Sequence, residues 1–346
     1  MSNWKKYTLL FFLFTLLGYP LFYYAYKYGT PAFGGLDVLS YYKLYDGWQF
    51  SKVDSPFNQR IISSYAVYLL HETGLTYPTD TAIKAFGLDP SVYFCALLFN
   101  FLCVVASCLV IYRTVEKQLN AGPLFSFLAG LLFLLGFGTL CFLVSALTDA
   151  LSVLLVALLF KSFLEKSWWQ APLLLLAAFQ REYIFFVFGL IAAMHWLFQK
   201  QERRYYLLVL AGNIGGFLVY FICRKTIFYT PRFTHQIDFG QFLSNIAISI
   251  QDVGAYFRQT FLIQNLVFIY LGVCAYKYVS KLPVTRLHLF IVFALLIEVV
   301  ALSLLVRLGN NTGRYFYMTA PIVIYYLALE AAPLLAGKNR PETLTA

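Results

Sequence analysis

Charged residues are scarce in this chain of 346 residues. Asp, Glu, Lys and Arg make up 12% of it, about half the share usual in a soluble domain. That deficit excludes a soluble globular enzyme, a disordered tail and a fibrous repeat. Apolar residues make up 60% of the chain and form several runs long enough to cross a bilayer, which indicates a polytopic membrane protein.

Disulfide and metal-binding patterns are also missing from the sequence. The six cysteines lie within apolar runs and form neither a CxxC pair nor a Cys/His cluster. We therefore interpret them as small buried residues. The four histidines lack metal-ligand spacing, so the sequence predicts no metal site from them.

The apolar runs predict an all-α bundle of about ten membrane segments in one transmembrane domain over 1–346, without a separate soluble domain. Their approximate limits are 7–26, 91–112, 121–144, 147–164, 169–180, 183–198, 205–225, 260–277, 287–306 and 315–336. The first run follows Lys5 and Lys6 and is too long for the apolar region of a signal peptide. We expect it to be an uncleaved first span.

The distribution of basic residues predicts an orientation for these segments. Lys and Arg outnumber Asp and Glu by 26 to 16 and fall mostly in short clusters between the apolar runs. Such clusters suit topology signals and anionic lipid headgroups, and no basic stripe is typical of a nucleic-acid surface. With the N-terminus in the cytoplasm, every inner connection carries at least two basic residues, and the C-terminus is cytoplasmic as well.

Residues 169–198 are predicted to form a hairpin that turns at Arg181-Glu182. A single long helix would place both charges in hydrocarbon, which costs several kcal/mol unless they are shielded. Two long outer segments follow from this topology, 27–90 and 226–259. We expect the first to form amphipathic helices at the membrane surface, with a mildly apolar stretch from Ile61 to Leu70 among them.

Acids and arginines collect on the predicted outer face of the membrane. The first loop contains Asp37 after a glycine pair, and Arg60 follows about 20 residues later. The other members of this set are Asp46, Asp54, Asp149, Arg181, Glu182, Arg224, Lys225, Arg232, His235, Asp238, Arg307 and Arg314. They fall at helix ends and in loops, where catalytic groups commonly lie.

Each motif also has an ordinary structural interpretation. These are an N-cap for Asp37 and for Thr148-Asp149, a headgroup contact for Arg60, a solvated turn with a local ion pair for Arg181-Glu182, and an interfacial anchor for Gly313-Arg314-Tyr315. Glu298 lies inside a predicted span, where we expect an interhelical hydrogen bond. Glu330 is expected to reach the inner interface.

Five short motifs, taken in order, cover most of the chain. They are Asp37 with Tyr41-Tyr42, Pro56-Phe57-x-x-Arg60, Thr148-Asp149, Gln180-Arg181-Glu182-Tyr183, and Gly313-Arg314-Tyr315 before a span with Pro321. This ordered set resembles the GT-C superclass of polytopic glycosyltransferases, and most closely bacterial integral membrane proteins of that kind. The resemblance implies a bacterial plasma-membrane protein with a polyprenyl-phosphate-linked sugar donor and an outward-facing site whose acid lies in the first outer loop.

The sequence departs from the better-known members of that superclass in two ways. They often carry paired acids in the first loop, whereas here Asp37 stands alone and Asp46 follows nine residues later. Many also have a large soluble C-terminal domain, which is not expected here. The two departures leave the acceptor and metal dependence open, with a divalent cation shared by Asp37 and Asp46 as one possibility.

Sugar transfer from a lipid phosphate needs a base for the acceptor hydroxyl and cations for the leaving phosphate. Asp37 is the predicted general base, and Arg181 and Arg314 are the first candidates to bind the donor phosphate through their planar guanidinium groups. The other predicted substrate-binding residues are Arg60 for the phosphate, Tyr41 and Tyr42 for a sugar face, and Asp149 and Glu182 to orient arginines or sugar hydroxyls. A single base and direct displacement imply inversion at the anomeric carbon.

Other functions remain open at the level of sequence. A transporter or flippase of a lipid-linked saccharide predicts inverted repeats and charges at mid-membrane, but no repeat is visible and Glu298 is the only strong mid-span charge. A non-catalytic membrane subunit of an envelope-polysaccharide assembly is disfavoured only weakly. A polysaccharide polymerase or ligase would share the arginine-rich outer loops. The acceptor, whether lipid, glycan or protein, is also left open.

Overall fold

A computed structural model describes residues 3–29, 31–54, 57–228, 243–244, 246–247, 265–306 and 312–335. Within these ranges the regular structure is helical, without a strand, so the predicted all-α fold class is confirmed. The helices are α1 (Asn3–Tyr28), α2 (Pro31–Gly47), α3 (Ile61–Glu72), α4 (Pro90–Gln118), α5 (Pro123–Leu134), α6 (Asp149–Leu164), α7 (Gln170–Ala178), α8 (Tyr183–Phe198), α9 (Arg203–Thr226), α10 (Asn265–Val279), α11 (Arg286–Val306), α12 (Thr312–Tyr317) and α13 (Ala320–Leu335).

Three helical stretches are long and apolar enough to cross a membrane: Trp4–Tyr28, Pro90–Gln118 and Lys200–Thr226. Shorter apolar helices accompany them, α5, α8, α10 and α13. Large apolar side chains also lie on the outside of the bundle, among them Leu208, which is 72% exposed. Since a bilayer rather than water suits such surfaces, the chain associates with a membrane.

Helix α4 lies at the centre of the bundle. It packs against α1, α3, α5 and α6, and α13 packs across α4, α5 and α6. Helices α8 and α9 pack along each other, α10 packs against α13, and α11 packs against α8 and α12. The six cysteines are free, and all but the half-buried Cys223 are buried, as the sequence predicted.

The predicted hairpin over 169–198 is confirmed. Helix α7 ends at Ala178 and α8 begins at Tyr183. At the start of α7, Gln170 Nε2 donates a hydrogen bond of 2.7 Å to Tyr205 Oη near the start of α9. At the end of α8, the His195 ring lies 5.1 Å from the ring of Tyr206, the next residue of α9. The start of α7 and the end of α8 therefore both lie near the start of α9, and the turn between α7 and α8 lies toward the end of α9.

Two predicted segments are interrupted. The segment expected over 121–144 ends as helix α5 at Leu134, and a separate π-helical turn covers Thr139–Leu143. The segment expected over 315–336 is divided into α12 and α13. In the first loop, α2 and α3 are present, and α3 begins at Ile61 as the apolar stretch predicted.

One tyrosine accounts for the early end of α5. The Tyr317 ring lies against Gly136 and Gly138, where a Cβ atom would overlap it. Tyr317 Oη donates to the carbonyl oxygen of Phe133 at 3.1 Å and shares a hydrogen bond of 2.8 Å with Thr139 Oγ1. The unwound backbone after α5 thus makes room for α12 and fixes its position.

Ion pairs tie the helices together at the end of the bundle where α4 and α13 finish. Lys6 pairs with Glu116, and Lys166 pairs with Glu202. Lys277 pairs with Glu330, which is 1% exposed and also accepts the Thr285 backbone N–H at 3.2 Å. The expectation that Glu330 reaches the interface is wrong, because a buried lysine is available as its partner.

We predict that Gly138→Ala destabilises the protein by about 1–3 kcal/mol, because the added methyl group overpacks against the Tyr317 ring. Thermal unfolding of the purified protein in detergent measures this. The matched control is Gly272→Ala in α10, where a Cβ meets nothing within 4 Å. The control should be neutral or slightly stabilising, since alanine favours helix more than glycine does. Equal melting temperatures for the two variants would contradict the proposed role of Tyr317.

Candidate functional site

Charged side chains from five separate parts of the chain meet at the end of the bundle opposite to the Lys277–Glu330 pair. Together they are called the charged cluster: Asp37 on α2, Arg60 directly before α3, Asp149 at the start of α6, Arg181 and Glu182 in the turn before α8, and Arg314 on α12. All of these residues except Asp37 lie at or near a helix end, where backbone groups have no hydrogen-bond partner within the helix.

Asp149 is the centre of the charged cluster. Its Oδ1 forms a salt bridge with Arg181 Nη1, and its Oδ2 accepts from Arg314 Nε. The three side chains are each at most 3% exposed. Arg314 Nη1 also lies 3.5 Å from Asp37 Oδ2, and the side chain of Asp37 is 36% exposed. Asp37, unlike Asp149, is therefore a carboxylate that a ligand can reach.

Arg60 is held by Tyr41. Arg60 Nη1 donates to Tyr41 Oη, and its guanidinium lies 5.7 Å from the centroid of the same ring. Tyr41 Oη also accepts from Thr148 Oγ1 at 3.3 Å. The Tyr41 ring is fully buried and stacks on Tyr45, with 6.0 Å between the centroids. Tyr41 therefore positions Arg60, and its stacking on a sugar face stays a prediction.

Tyr42 does not join the charged cluster. It follows Tyr41 on α2, so its side chain leaves the helix in a direction rotated by roughly 100°. It is buried, and the centroid of its ring lies 6.2 Å from that of the Tyr45 ring. Substrate binding by Tyr42 therefore stays a prediction, and the structure places this side chain away from the charged cluster.

Gln180 links three elements around the charged cluster, although the sequence interpretation gave it no role. Its Nε2 donates to the Thr148 carbonyl oxygen at 2.7 Å and lies 3.3 Å from Ser152 Oγ. Its Oε1 accepts from Ser63 Oγ at 3.2 Å. The turn before α8 is thus tied to α3 and α6. Its position beside Arg181 was the available signal in the sequence.

Glu182 is the third carboxylate of the charged cluster, and the charges of Arg60 and Arg181 act on it. Burial alone would raise the pKa of its carboxyl, but the charges of Arg60 and Arg181 outweigh burial and hold this pKa below its ordinary value. Glu182 also accepts from Tyr220 Oη at 3.1 Å, which in turn accepts from Arg224 Nη1 at 3.2 Å. Glu182 is therefore ionised at neutral pH.

Burial also acts on Arg181, which lies in the turn outside both helices. It lowers the pKa of this guanidinium to about 10, and the charge of Arg60 acts in the same direction. Arg181 nevertheless stays charged at neutral pH, since a pKa of about 10 lies well above 7. The two arginines repel each other, which an anion between them would relieve.

Several buried N–H donors of the charged cluster have no acceptor among the described residues. They are Nε of Arg60, Nε of Arg181 and Nη2 of Arg314. Arg60, Arg181 and Arg314 are each at most 5% exposed, whereas Asp149 is the one carboxylate of the charged cluster buried to that degree. Buried donors are costly unless an acceptor is supplied. An anionic ligand with several oxygen atoms suits this arrangement.

The ordinary structural interpretations of these motifs do not hold. Arg60, Arg181 and Arg314 are buried, so they neither extend to headgroups, lie in a solvated turn, nor anchor the interface. Asp37 lies within α2, which begins at Pro31, so it is not an N-cap. Thr148 precedes α6 but makes no side-chain capping bond.

Two other expectations change with the structure. Asp37 and Asp46 lie nine residues apart on α2, a rise of about 13 Å, and Asp46 lies 3.7 Å from His71. They cannot share a divalent cation, and the described residues contain no cluster of three or more potential metal ligands. Glu298 Oε2 is buried without a hydrogen-bond partner among the described residues, so the expected interhelical bond is not formed there.

Some sequence predictions lie outside the described residues. These are Pro56, Arg232, His235, Asp238, Arg307 and most of the second outer loop, 226–259.

We predict that Asp149→Asn lowers the free energy of unfolding by about 3–5 kcal/mol, because it leaves two buried arginines without a counter-charge. Denaturation of the purified protein in detergent measures this loss. Asp37→Asn is the matched control and should change stability by about 1 kcal/mol or less, since its pair with Arg314 is long and partly solvated. Equal losses in the two variants would contradict the central position of Asp149.

No family model, no curated protein and no solved structure matches the chain. The function must therefore follow from the side chains of the charged cluster and from the fold that brings them together.

Proposed function

We propose that the protein is a membrane-embedded glycosyltransferase that moves a sugar from a polyprenyl-phosphate-linked donor to an acceptor, with inversion at the anomeric carbon. One observation carries this proposal: three buried arginines with unpaired N–H donors adjoin a carboxylate that a ligand can reach. The arginines suit the binding of a phosphate, and the carboxylate suits a general base.

The phosphate of the donor lies against the arginines. Arg60, Arg181 and Arg314 together offer fixed positive charge and N–H groups, and guanidinium groups bind phosphate oxygens in pairs. Asp149 holds Arg181 and Arg314 in place, and Tyr41 holds Arg60. Because the arginines are fixed before the ligand arrives, they stabilise the charge that develops on the leaving phosphate.

Asp37 is the proposed general base. It accepts the proton of the acceptor hydroxyl as that oxygen bonds to the anomeric carbon of the sugar. The bond between the anomeric carbon and the phosphate oxygen breaks in the same step, and its electron pair stays on the polyprenyl phosphate. The nearby Arg314 keeps Asp37 beside the phosphate site, at 3.5 Å. One displacement inverts the anomeric carbon.

The proposal extends to the fold and the location of the protein. It makes the chain GT-C-like, with about ten membrane segments in a bacterial plasma membrane and both termini in the cytoplasm. The site then lies on the outer face, where the donor headgroup meets an acceptor while the polyprenyl tail stays in the bilayer. The described helix ends at the charged cluster are compatible with such an interfacial position.

Asp37→Asn is expected to lower the rate of sugar transfer by about 10²–10⁴-fold, because the base is lost while the phosphate site is kept. The assay follows labelled polyprenyl-phosphate hexoses with the purified protein in lipid, and detects label on an acceptor or released to water. The matched control is Asp46→Asn, since Asp46 lies on the same helix but faces His71.

The control variant should retain the activity of the unmodified chain. Full transfer activity in Asp37→Asn would overturn the assignment of the base. Donor binding without turnover in the unmodified chain would favour a flippase or a non-catalytic subunit instead.

A second prediction concerns orientation. Lys84 lies exposed in the first loop and Lys281 lies exposed after α10. In intact cells, Lys84→Cys should react with a membrane-impermeant maleimide, and Lys281→Cys should react only after the membrane is opened. The unmodified chain is the control, since its own cysteines are buried or half-buried. Reaction of Lys281→Cys alone in intact cells would reverse the proposed topology.

A further inference from the structure

A second polar group adjoins the charged cluster on the side of α11. The Arg181 guanidinium lies 4.9 Å from the centroid of the Tyr315 ring. Tyr315 meets the Tyr183 ring edge to face, with 5.4 Å between the centroids. Glu298 lies on α11, which packs against α8, the helix that begins with Tyr183. Tyr183, Glu298 and Tyr315 are called the tyrosine–glutamate patch.

Two polar atoms of this patch lack partners among the described residues. Tyr183 Oη and Glu298 Oε2 are buried without a hydrogen bond among the described residues. An unpaired carboxylate inside a membrane bundle is expensive and usually marks a functional position. Neither α8 nor α11 needs these two groups for its own hydrogen bonds, which are made by the backbone within each helix. The fold therefore gives no reason for their presence, whereas a ligand does.

The chemistry of the patch selects among ligands. An apolar lipid tail would leave Glu298 and Tyr183 unpaired, and an anion would be repelled by the carboxylate. A cation is disfavoured by the neighbouring charge of Arg181. A ring with several hydroxyl groups satisfies all the conditions: its O–H groups donate to the carboxylate and the phenol, and its C–H face packs on Tyr315. Tyr315 and Glu298 are only half-buried, so both can be reached.

We infer that the tyrosine–glutamate patch is the subsite for the sugar ring of the donor, directly beside the phosphate held by Arg181. This inference rests on the proposed function, because it attaches the sugar to the phosphate of the same donor. It assigns Glu298 and Tyr183 to recognition of sugar hydroxyls, and Tyr315 to both ends of the donor, since its ring lies between Arg181 and Tyr183.

The test compares two probes on the purified chain in lipid nanodiscs: a polyprenyl phosphate alone, and the same polyprenyl phosphate carrying glucose, galactose or mannose. The unmodified chain should bind at least one sugar-bearing lipid about tenfold more tightly than the bare phosphate. Glu298→Leu should abolish that preference and leave the affinity for the bare phosphate unchanged. Tyr183→Phe should reduce the preference in the same direction.

The melting temperature of Glu298→Leu is a second readout. A structural role of Glu298 predicts a lower melting temperature, whereas the subsite role does not. Replacing this half-buried carboxylate, one oxygen of which is unpaired, with leucine should leave the melting temperature unchanged or raise it. Tyr276→Phe, at an exposed tyrosine on α10, is the control and should keep the full sugar preference.

The outcomes separate the two proposals. If the unmodified chain binds neither probe, the proposed function falls and the subsite falls with it. If it binds both probes equally, or if Glu298→Leu keeps the sugar preference, the phosphate site stands and the subsite is overturned. A melting temperature that falls sharply in Glu298→Leu would show a structural role and would also overturn the subsite.

Discussion

The buried carboxylate of Asp149 is the interaction on which the rest of the charged end depends. It pairs with both Arg181 and Arg314, which lie 133 residues apart in the sequence. Burying three charges is costly, and the attraction repays that cost only when each charge is paired in good geometry. The start of α6, the turn before α8 and the helix α12 must therefore lie next to one another. Such a group fixes an arrangement of helix ends more strictly than apolar packing does.

The apolar part of the fold serves that alignment. Helix α12 carries Arg314, and Tyr317, one turn later, inserts against Gly136 and Gly138. Because the chain unwinds after α5 instead of continuing as a long span, α12 reaches the level at which α6 begins. Gln180 then ties the turn before α8 to α3 and α6. Packing in the core and hydrogen bonds at the end of the bundle thus determine the same geometry.

Much of this arrangement could be predicted from the sequence, because hydrophobic length and the cost of buried charge act locally. The hairpin at Arg181-Glu182 follows from that cost alone. The break after α5 could not be found in this way, since it depends on Tyr317, a residue almost 180 positions away. The different contacts of Tyr41 and Tyr42 could not be predicted from the sequence either, because adjacent side chains on a helix point in different directions. Whether Glu298 has a partner likewise depends on which helices meet.

The unpaired donors link the stability of the charged cluster to its proposed ligand. Arg60, Arg181 and Arg314 come from three separate helix ends, and each keeps a buried N–H group without an acceptor among the described residues. A phosphate that accepts from all three would satisfy these donors. A ligand that binds only the folded state stabilises it. On the proposed function, the donor is therefore part of what holds the three helix ends together.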